Sequence, residues 1–464
     1  MRGWNAHRVA RAAGAALAGA GRSEAGPERV TIDSRDAGPG ALFVGLPGEN
    51  VDGGSFASDA LSAGAWGVLT TQEHAEAARA EAEGSVLLVS PAPLQALQGL
   101  AAAWRRELGA RVIGVTGSTG KTSTKDLLLA LLAPHRLTVA SRANFNTEIG
   151  LPLEILGAPQ GTEVLILEMA MRGAGQIAEL ARIAQPEVGL IVSVGPVHLE
   201  LLGSLEAIAA AKSELIAELA PGSSAVVPAG EKLLEPHLRD DLETITFGEE
   251  GDVRLRSAAG RRLEIEARGE LVKLEVSFDQ AHLHRNLLAA VAAAQAVGVT
   301  PAGHVELALS AGRGQRWALA GGVTVIDDCY NANPMSVRAA LEDLAATAQR
   351  EHHSRRVAVL GDMLELGPTE LELHAQVGAQ AQDTGVDLLI TVGPRARAIS
   401  ERFEGEVRSV QGATQAADLV PGLLHPGDLV LVKGSRAVGL ELVCRALGAA
   451  EGVGPEVARS GAPG

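Results

Sequence analysis

The sequence predicts an α/β protein that is divided into three domains. The chain has 464 residues, and domains average about 150 residues, so its length suits three of them. From Arg111 onward, short apolar segments alternate with helical patterns, which is typical of βαβ units on a parallel sheet. A glycine-rich break at 311–314 separates two such series. We therefore expect domains at 1–109, 110–311 and 312–464.

The first domain is predicted to be small and mixed. Strand-like runs at 41–44 and 86–89 are separated by glycine- and proline-rich turns and by alanine-rich helices. The central domain is predicted to hold a parallel sheet that ends in an antiparallel patch, because residues 252–278 alternate in polarity with a period of two. Its predicted strands are 111–116, 164–167 and 188–194, and its predicted helices are 123–132, 176–184, 205–219 and 287–297.

The third domain repeats the alternation of strands and alanine-rich helices, which predicts a Rossmann-like α/β domain. Residues 451–464 are rich in glycine, proline and alanine without periodicity, so we expect a frayed tail from about residue 451. The predicted strands of this domain are 323–326, 357–360, 388–392 and 429–432.

The charge and composition exclude several classes of protein. A net charge of −16 argues against a general nucleic-acid or anionic-membrane surface, so no nucleic-acid partner is expected. The N-terminus lacks the apolar stretch of a signal peptide, and no apolar run approaches the ~18 residues of a membrane span. Cys329 and Cys444 show no pairing pattern, which indicates a reducing compartment. We expect a cytoplasmic protein.

Lysine is rare in this chain, whereas arginine is common. An arginine cannot replace a lysine where a compact charge or a deprotonated amine is needed. A lysine retained in such a chain is therefore a weak indication of function. The six lysines are Lys121, Lys125, Lys212, Lys232, Lys273 and Lys433.

The strongest local motif runs from residue 114 to 122 as Gly-Val-Thr-Gly-Ser-Thr-Gly-Lys-Thr. It follows a predicted strand and opens a predicted helix, where glycines let backbone N–H groups surround phosphates. In a P-loop, the Lys121 ammonium would reach the β- and γ-phosphates and the Thr122 hydroxyl would ligate Mg²⁺. The first glycine precedes Gly120 by three residues rather than five, and the plain alternative is a tight turn with an exposed lysine. The predicted phosphate-binding residues are Gly117, Ser118, Thr119, Gly120, Lys121, Thr122 and Ser123.

Three further polar residues lie after predicted strands or on a predicted helix of the central domain. Glu168 follows the predicted strand 164–167, where its carboxylate would emerge beside the phosphate loop, although a strand-end glutamate facing water is common. His198 lies beyond the next strand, where a lone histidine is more often a satisfied loop residue. Lys212 lies on a predicted helix, and considered alone it is more simply a solvated lysine.

The shortened loop resembles the ATP site of the Mur ligases, the amide-forming enzymes of peptidoglycan assembly, and of their folylpolyglutamate synthase relatives. The resemblance implies ATP and two Mg²⁺ ions, held by Thr122, Glu168, His198 and Lys212. It also implies that Lys212 is carbamylated, since a carbamate supplies the oxygen ligand that a hard metal requires. Arginine cannot lose the proton that this modification requires. With Lys121, these residues form the expected catalytic set.

The resemblance continues at the expected nucleotide site. The family pattern His-Asn-x-x-Asn is matched by His282 and Asn286, of which the asparagine would lie near the adenine, while Leu283 replaces the first asparagine. Arg313 and Asp328 fit family residues that reach the nucleotide from the C-terminal domain. An isolated Gly-Arg-Gly would otherwise be taken for a linker.

The segment 327–334, Asp-Asp-Cys-Tyr-Asn-Ala-Asn-Pro, distinguishes the branches of the family. It resembles the branch that adds D-alanyl-D-alanine, since other branches carry Asp-Tyr-x-His or Asp-Ser-Lys sequences there. Tyr330, Asn331 and Asn333 are therefore expected to bind substrate, although Asn-Pro turns and helix caps can look similar. Further segments that resemble this branch are 361–367, His374 and 433–436.

The N-terminal domain resembles the UDP-sugar-binding domain of the same branch, at residues 33–35, 39–46 and 52–54. Gly54 stands where a histidine is frequent, so one contact or packing role is missing. The residues expected to bind the UDP-muramoyl substrate are Ser34, Arg35, Asn144, Asn146 and Thr147.

These resemblances together imply a monomeric enzyme that ligates D-alanyl-D-alanine to UDP-N-acetylmuramoyl-tripeptide through an acyl phosphate. The C-terminal domain would close over the nucleotide and exclude water. Two alternatives remain open: another ligase of the Mur or folylpolyglutamate type, and a P-loop kinase or NTPase. The latter would share residues 117–122 but gives no account of 328–334. A silent binding protein would be expected to have lost part of the catalytic set.

Overall fold

The computed structural model describes residues 1, 3–20, 25–82, 84–142 and 144–449, so the predicted tail lies outside the described residues. Its described strands form three sheets of five, ten and six strands, which follow one another along the chain. We call the regions around these sheets the N-terminal, central and C-terminal units. This arrangement confirms the predicted α/β class.

The N-terminal unit has the strand order β1-β5-β4-β3-β2, with β2 to β5 parallel and β1 antiparallel to β5. Strands β3, β4 and β5 are buried along their whole length, as expected for parallel strands covered on both faces. Its elements are α1 (Ala6–Ala13), β1 (Ala16–Ala20), β2 (Arg29–Thr31), β3 (Ala41–Val44), α2 (Ala57–Ser62), β4 (Gly67–Thr70), α3 (Gln72–Ala77), β5 (Val86–Val89) and α4 (Pro93–Leu108).

The central unit carries the largest sheet, in the order β15-β14-β13-β12-β11-β10-β9-β6-β8-β7. Strands β12, β13 and β14 pair antiparallel, which confirms the patch predicted at 252–278. Its elements are β6 (Arg111–Thr116), α5 (Lys121–Leu132), β7 (Thr138–Ala140), α6 (Gly150–Gly157), β8 (Val164–Glu168), α7 (Gln176–Ala184), β9 (Val188–Ile191), α8 (Leu199–Leu202), α9 (Leu205–Ala217), β10 (Ser224–Pro228), β11 (Glu243–Phe247), β12 (Val253–Ala259), β13 (Arg262–Ala267), β14 (Glu270–Val276), α10 (Ala281–Ala296) and β15 (Gly303–Val305).

Helix α10 differs from the prediction, which began it near residue 287. It begins at Ala281, so His282 and Asn286 lie on the helix and not in a loop before it. The reason is the pair Leu283 and Leu287, which are spaced by four residues and are 2% and 0% exposed. They extend the buried face of the helix by one turn, whereas the polar residues between them suggested a loop.

The C-terminal unit has the strand order β16-β17-β21-β18-β19-β20, parallel except for β16. This is the Rossmann-like sheet that the sequence predicted. Its elements are β16 (Gln315–Ala318), β17 (Thr324–Asp327), α11 (Pro334–Glu351), β18 (Arg355–Gly361), α12 (Glu370–Asp383), β19 (Leu388–Val392), β20 (Glu406–Val410), α13 (Ala413–Leu419), β21 (Asp428–Lys433) and α14 (Glu441–Ala449).

The three units are joined in different ways. One apolar core spans the first two units and includes Leu100 of α4, Leu151 of α6 and Ile177 of α7. The two apolar clusters of the C-terminal unit draw only on described residues from position 317 onward. Among the described residues, no apolar cluster spans the C-terminal and central units, and an interface without a shared core permits one domain to move relative to another.

Cys329 and Cys444 come together in the fold, although the sequence showed no pairing pattern. Both are buried free thiols, and each has its sulfur within 4.8 Å of the other and of a carboxylate oxygen of Asp327. The hydrogen bond to Cys329, together with burial, raises the pKa of Cys444. A protonated, buried thiol is unreactive.

No helix within the described ranges combines the length and apolar character needed to cross a membrane.

Candidate active site

The predicted phosphate loop connects the end of β6 to the start of α5. Gly120 caps α5 with φ at 79°, in the left-handed region that favours glycine. A Cβ atom added there would lie 2.7 Å from Oδ1 of Asn286. Glycine is thus needed at this position for conformation and for space, and Asn286 of α10 lies directly against the loop.

The loop is anchored to the segment that follows β9. The Ser118 hydroxyl donates to the carbonyl oxygen of Gly195 at 3.0 Å, and the Thr119 N–H donates to Oγ of Ser193 at 2.9 Å. Lys121 folds back and donates from Nζ to the carbonyl oxygen of Gly117 at 2.7 Å. Burial lowers the pKa of Lys121, against the effect of the nearby Glu168. The ammonium therefore lies inside the loop and lacks full solvation.

Both carboxylate oxygens of Glu168 are held in place at the end of β8. The Thr122 hydroxyl donates to Oε2 at 2.9 Å, and Nδ2 of Asn146 donates to Oε1 at 2.9 Å. Glu168 is only 2% exposed, so it does not face water as a strand-end glutamate ordinarily would. A carboxylate and a hydroxyl group therefore lie at one point, and their oxygens are ligands that suit Mg²⁺.

His198 precedes helix α8 with φ at 55°. Its Nδ1 lies 2.5 Å from Oε2 of Glu365, which belongs to the C-terminal unit. Burial lowers the pKa of His198, and the positive charges of Lys121 and Lys212 act in the same direction, while Glu365 opposes them. Burial thus favours the neutral form of the imidazole, which is the form that ligates metals.

Lys212 is buried on α9 and 2% exposed, so the reading of a solvated helical lysine is wrong. Burial, together with the positive charge of Lys121, lowers the pKa of Lys212 well below its usual value. A lower pKa increases the fraction of neutral amine, which is the form of lysine that can react with CO₂.

A cavity of about 190 Å³ lies between the central and C-terminal units. It brings together all of the residues predicted to bind the nucleotide except Gly117. The predicted residues that line it are Ser118, Thr119, Gly120, Lys121, Thr122, Ser123, Glu168, His282, Asn286, Arg313, Asp328, Asn331 and Asn333.

The sequence reasoning missed Lys433 as a residue of this cavity. Its side chain is 3% exposed, and Nζ lies 2.5 Å from Oδ2 of Asp328 and donates to the carbonyl oxygen of Asn331 at 3.0 Å. Lys433 thus fixes the segment after β17. The rarity of lysine was the signal that could have found it.

The segment after β17 combines stacking with helix capping. The guanidinium of Arg313 lies 4.1 Å from the ring centre of Tyr330, and that of Arg436 lies 5.6 Å away. Asn333 accepts a hydrogen bond from the Ser336 N–H at 2.9 Å as the N-cap of α11. Asn333 thus caps helix α11, as the alternative interpretation of the Asn-Pro sequence predicted.

The structure does not bring the predicted UDP-binding residues of the N-terminal unit to this cavity. Ser34 and Arg35 lie on a short 3₁₀ helix capped by Asp33. The Arg35 guanidinium pairs with Asp33 at 2.6 Å and is 71% exposed. Asn146 contacts Glu168, as described above, and its neighbour Thr147 accepts a weak hydrogen bond from Gly150 N–H at 3.4 Å.

Two departures from the family pattern are explained by packing. A Cβ atom at Gly54 would lie 2.2 Å from Cδ2 of His74, whose Nε2 is 3.0 Å from Oδ2 of Asp52. The imidazole of His74 therefore fills the space that a side chain at Gly54 would need. Leu283, which replaces the expected asparagine, packs in the core of the central unit.

Three family models match the chain. They are the Mur ligase middle domain at residues 115–294, the Mur ligase glutamate ligase domain at 312–436 and the Mur ligase family catalytic domain at 28–105. The chain belongs to the Mur ligase family.

Within this family, the chain is similar to one relative and to two solved structures of the same branch. The UDP-N-acetylmuramoyl-tripeptide–D-alanyl-D-alanine ligase of Synechocystis sp. is 37% identical over 422 residues, which cover 89% of this chain and 90% of the relative. A crystal structure of MurF from Acinetobacter baumannii has a TM-score of 0.84 at 26% identity, covering 96% of this chain and 98% of the other. MurF ligase from Thermotoga maritima in complex with ADP has a TM-score of 0.78 at 29% identity, covering 90% and 96%.

Proposed function

We propose that this protein is an ATP-dependent ligase that joins D-alanyl-D-alanine to UDP-N-acetylmuramoyl-tripeptide, giving the UDP-muramoyl-pentapeptide of peptidoglycan synthesis. The observation that carries this proposal is the cavity in which the phosphate loop faces Arg313, Asp328 and Lys433 of the C-terminal unit. The Synechocystis relative is named for these two substrates, and the MurF structure from Thermotoga maritima is a complex with ADP.

The triphosphate of ATP would lie in the phosphate loop at the N-terminus of α5. Backbone N–H groups and the helix dipole favour an anion there. Lys121 would exchange its hydrogen bond to Gly117 for the β- and γ-phosphates. Arg313 would stabilise the nucleotide from the opposite wall, and Asn286, which lies against Gly120, would approach the base.

Two Mg²⁺ ions would bind close to Glu168. Thr122 and Glu168 would hold one ion, and Glu168, His198 and carbamylated Lys212 would hold the other. Bound there, the ions would neutralise phosphate charge and polarise the γ-phosphoryl group. As an ammonium, Lys212 would repel them, so we propose that it acts as the carbamate, which has oxygen donors.

The reaction would proceed in two displacements. The terminal carboxylate of the tripeptide attacks the γ-phosphorus, and ADP leaves with the bond pair of the bridging oxygen. The amine of D-alanyl-D-alanine then attacks the acyl carbonyl, and inorganic phosphate leaves from the tetrahedral intermediate while the amine loses a proton. Lys121 offsets the repulsion between carboxylate and triphosphate, and the C-terminal unit excludes water from the acyl phosphate.

The two substrates would reach this centre from opposite sides. The UDP-muramoyl group would bind the N-terminal unit through Ser34 and Arg35, and its phosphates would meet the loop with Asn144, Asn146 and Thr147. The dipeptide would bind the C-terminal unit beside Tyr330, Asn331 and Asn333. The order of the units along the chain thus corresponds to the order of groups in the product.

ADP release with defined acceptors tests this proposal. With UDP-muramoyl-tripeptide present, D-alanyl-D-alanine should stimulate ADP release far more than L-alanine, D-glutamate or a free diamino acid. Equal or better activity with a single amino acid and a shorter UDP-muramoyl acceptor would place the protein in another branch of the family. ADP release that no acceptor changes would favour the kinase or NTPase alternative.

A further inference from the structure

Two residues with unusual backbone conformations meet across the interface between the central and C-terminal units. Five described residues other than glycine have positive φ, namely Gln185, His198, Arg268, His352 and Glu365. Gln185 and His352 end helices and Arg268 lies in a hairpin turn, where this conformation is routine. His198 and Glu365 end no helix and lie in no hairpin, and they contact each other at 2.5 Å. Such strain persists where the surrounding structure enforces it, often at functional sites.

The surroundings of Glu365 hold it rigidly toward His198. Its flanking residues Leu364 and Leu366 are fixed, since the Leu364 N–H donates to Oγ of Ser435 at 3.0 Å and Leu366 is 1% exposed. The carbonyl oxygen of Glu365 accepts a hydrogen bond from the N–H of Glu200, two residues after His198, at 3.3 Å. The backbone that carries the carboxylate is therefore held in a fixed turn, while the side chain itself is 38% exposed.

The close approach continues two residues further along the same segment. A Cβ atom at Gly367 would lie 3.1 Å from Cα of Glu200, so the backbone of the C-terminal unit packs directly against the start of α8. The second carboxylate oxygen of Glu365 lies 3.9 Å from Nε of Arg172, on the central unit. The contact therefore forms only when the two units are together.

We propose that Glu365 is a positioning residue, which on closure of the C-terminal unit accepts a hydrogen bond from Nδ1 of His198 and leaves Nε2 free to ligate Mg²⁺. This inference rests on the proposed function for the identity of the metal. A hydrogen bond at one ring nitrogen fixes the tautomer and hence the nitrogen that can bind a metal. Closure and metal binding are then coupled, and each must favour the other to the same extent.

The first test is the tautomer of His198 in protein labelled with ¹⁵N-histidine, with His198→Gln used to assign the signal. Wild-type protein should show a neutral imidazole protonated at Nδ1. Glu365→Ala should lose this preference, and Glu365→Gln, which keeps an acceptor oxygen without its charge, should fall between the two. Glu200→Gln is the matched control, because it removes one negative charge from the same contact without touching His198.

The second test is Mn²⁺ binding to the ADP-loaded protein, followed by electron paramagnetic resonance. Loss of a carboxylate that orients a histidine ligand lowers metal affinity by about 10–100-fold in other sites. In Glu365→Ala we expect this loss of affinity for one of the two Mn²⁺ ions. In Glu200→Gln we expect no change in Mn²⁺ affinity. Thermal unfolding would confirm that each variant folds. If Glu365→Ala retained both the wild-type tautomer and the wild-type Mn²⁺ affinity, the inference would be overturned. Neither readout needs turnover, so a failure of dipeptide-dependent ADP release in wild-type protein would overturn the proposed function alone.

Discussion

Replacing Lys212 by methionine should stabilise the protein while abolishing ligation. The side chain is 2% exposed on α9, and burial and Lys121 disfavour its charged form. Methionine fills a similar volume without a charge, and burying its side chain contributes up to about 1.5–3 kcal/mol. We therefore expect the free energy of unfolding of Lys212→Met to exceed that of wild type by about 1 kcal/mol or more. In a unit of about 200 residues this corresponds to a rise in Tm of about 2–4 °C.

The same burial predicts how stability changes with pH. The pKa of Lys212 is lower in the folded protein than its usual value near 10.5. At pH values between these two pKa values, the unfolded chain therefore binds a proton that the folded chain lacks. Wild-type stability should therefore rise with pH across this window, as the penalty for burying the ammonium is relieved. Lys212→Met should lack that contribution, so the two proteins should converge in Tm as pH rises toward 10.5.

Differential scanning calorimetry in CO₂-free buffer at a series of pH values measures both effects. Added bicarbonate should then raise the Tm of the wild-type protein and not that of Lys212→Met, because only the wild type has a lysine at position 212 that can form the carbamate. A Lys212→Met variant that unfolds below wild type at pH 7, with the same slope against pH, would refute the reasoning from burial.

Three further predictions concern single positions. Lys121→Ala should abolish ligation, because the phosphates lose a cation. It should change the free energy of unfolding by less than about 0.5 kcal/mol, because no core contact is lost. Near-wild-type ADP release would count against the assignment of the phosphate loop. Lys212→Ala should regain part of its lost activity with acetate or formate, whereas Lys212→Arg should stay inactive with either; full activity of Lys212→Arg would contradict the carbamate. Gly54→His should destabilise the protein by about 1–3 kcal/mol through overpacking against His74, and combining it with His74→Ala should restore the Tm measured by calorimetry; additive losses would show that the two side chains do not share one space.

Much of the fold could be predicted because its signals are local. The apolar runs of the parallel strands and the glycine-rich turn after β6 are dictated by burial and backbone geometry, which sequence patterns report directly. The start of α10 was missed because Leu283 and Leu287 have a helical spacing that is interrupted by histidine, arginine and asparagine. Tertiary burial decided that boundary.

The candidate site was predicted less completely, because some of its residues are defined only by contacts between distant segments. Glu365 lies in segment 361–367, which the resemblance singled out, but its partner His198 is 167 positions away in sequence. His74 and its partner Asp52 are 22 positions apart, and no local pattern predicts either contact. Lysine rarity was a mixed signal. Lys121 and Lys433 line the cavity, Lys212 and Lys125 are buried outside its lining, and Lys273 is largely exposed.

The central claim, ligation through an acyl phosphate, is tested most directly by following oxygen from the tripeptide. UDP-muramoyl-tripeptide labelled with ¹⁸O in both oxygens of its terminal carboxylate would be incubated with ATP and D-alanyl-D-alanine. The inorganic phosphate would then be analysed by mass spectrometry. The mechanism predicts one ¹⁸O atom in each phosphate released and one in the new amide carbonyl. Unlabelled phosphate from a reaction that releases ADP would contradict it, since hydrolysis of ATP by water leaves both labelled oxygens on the tripeptide.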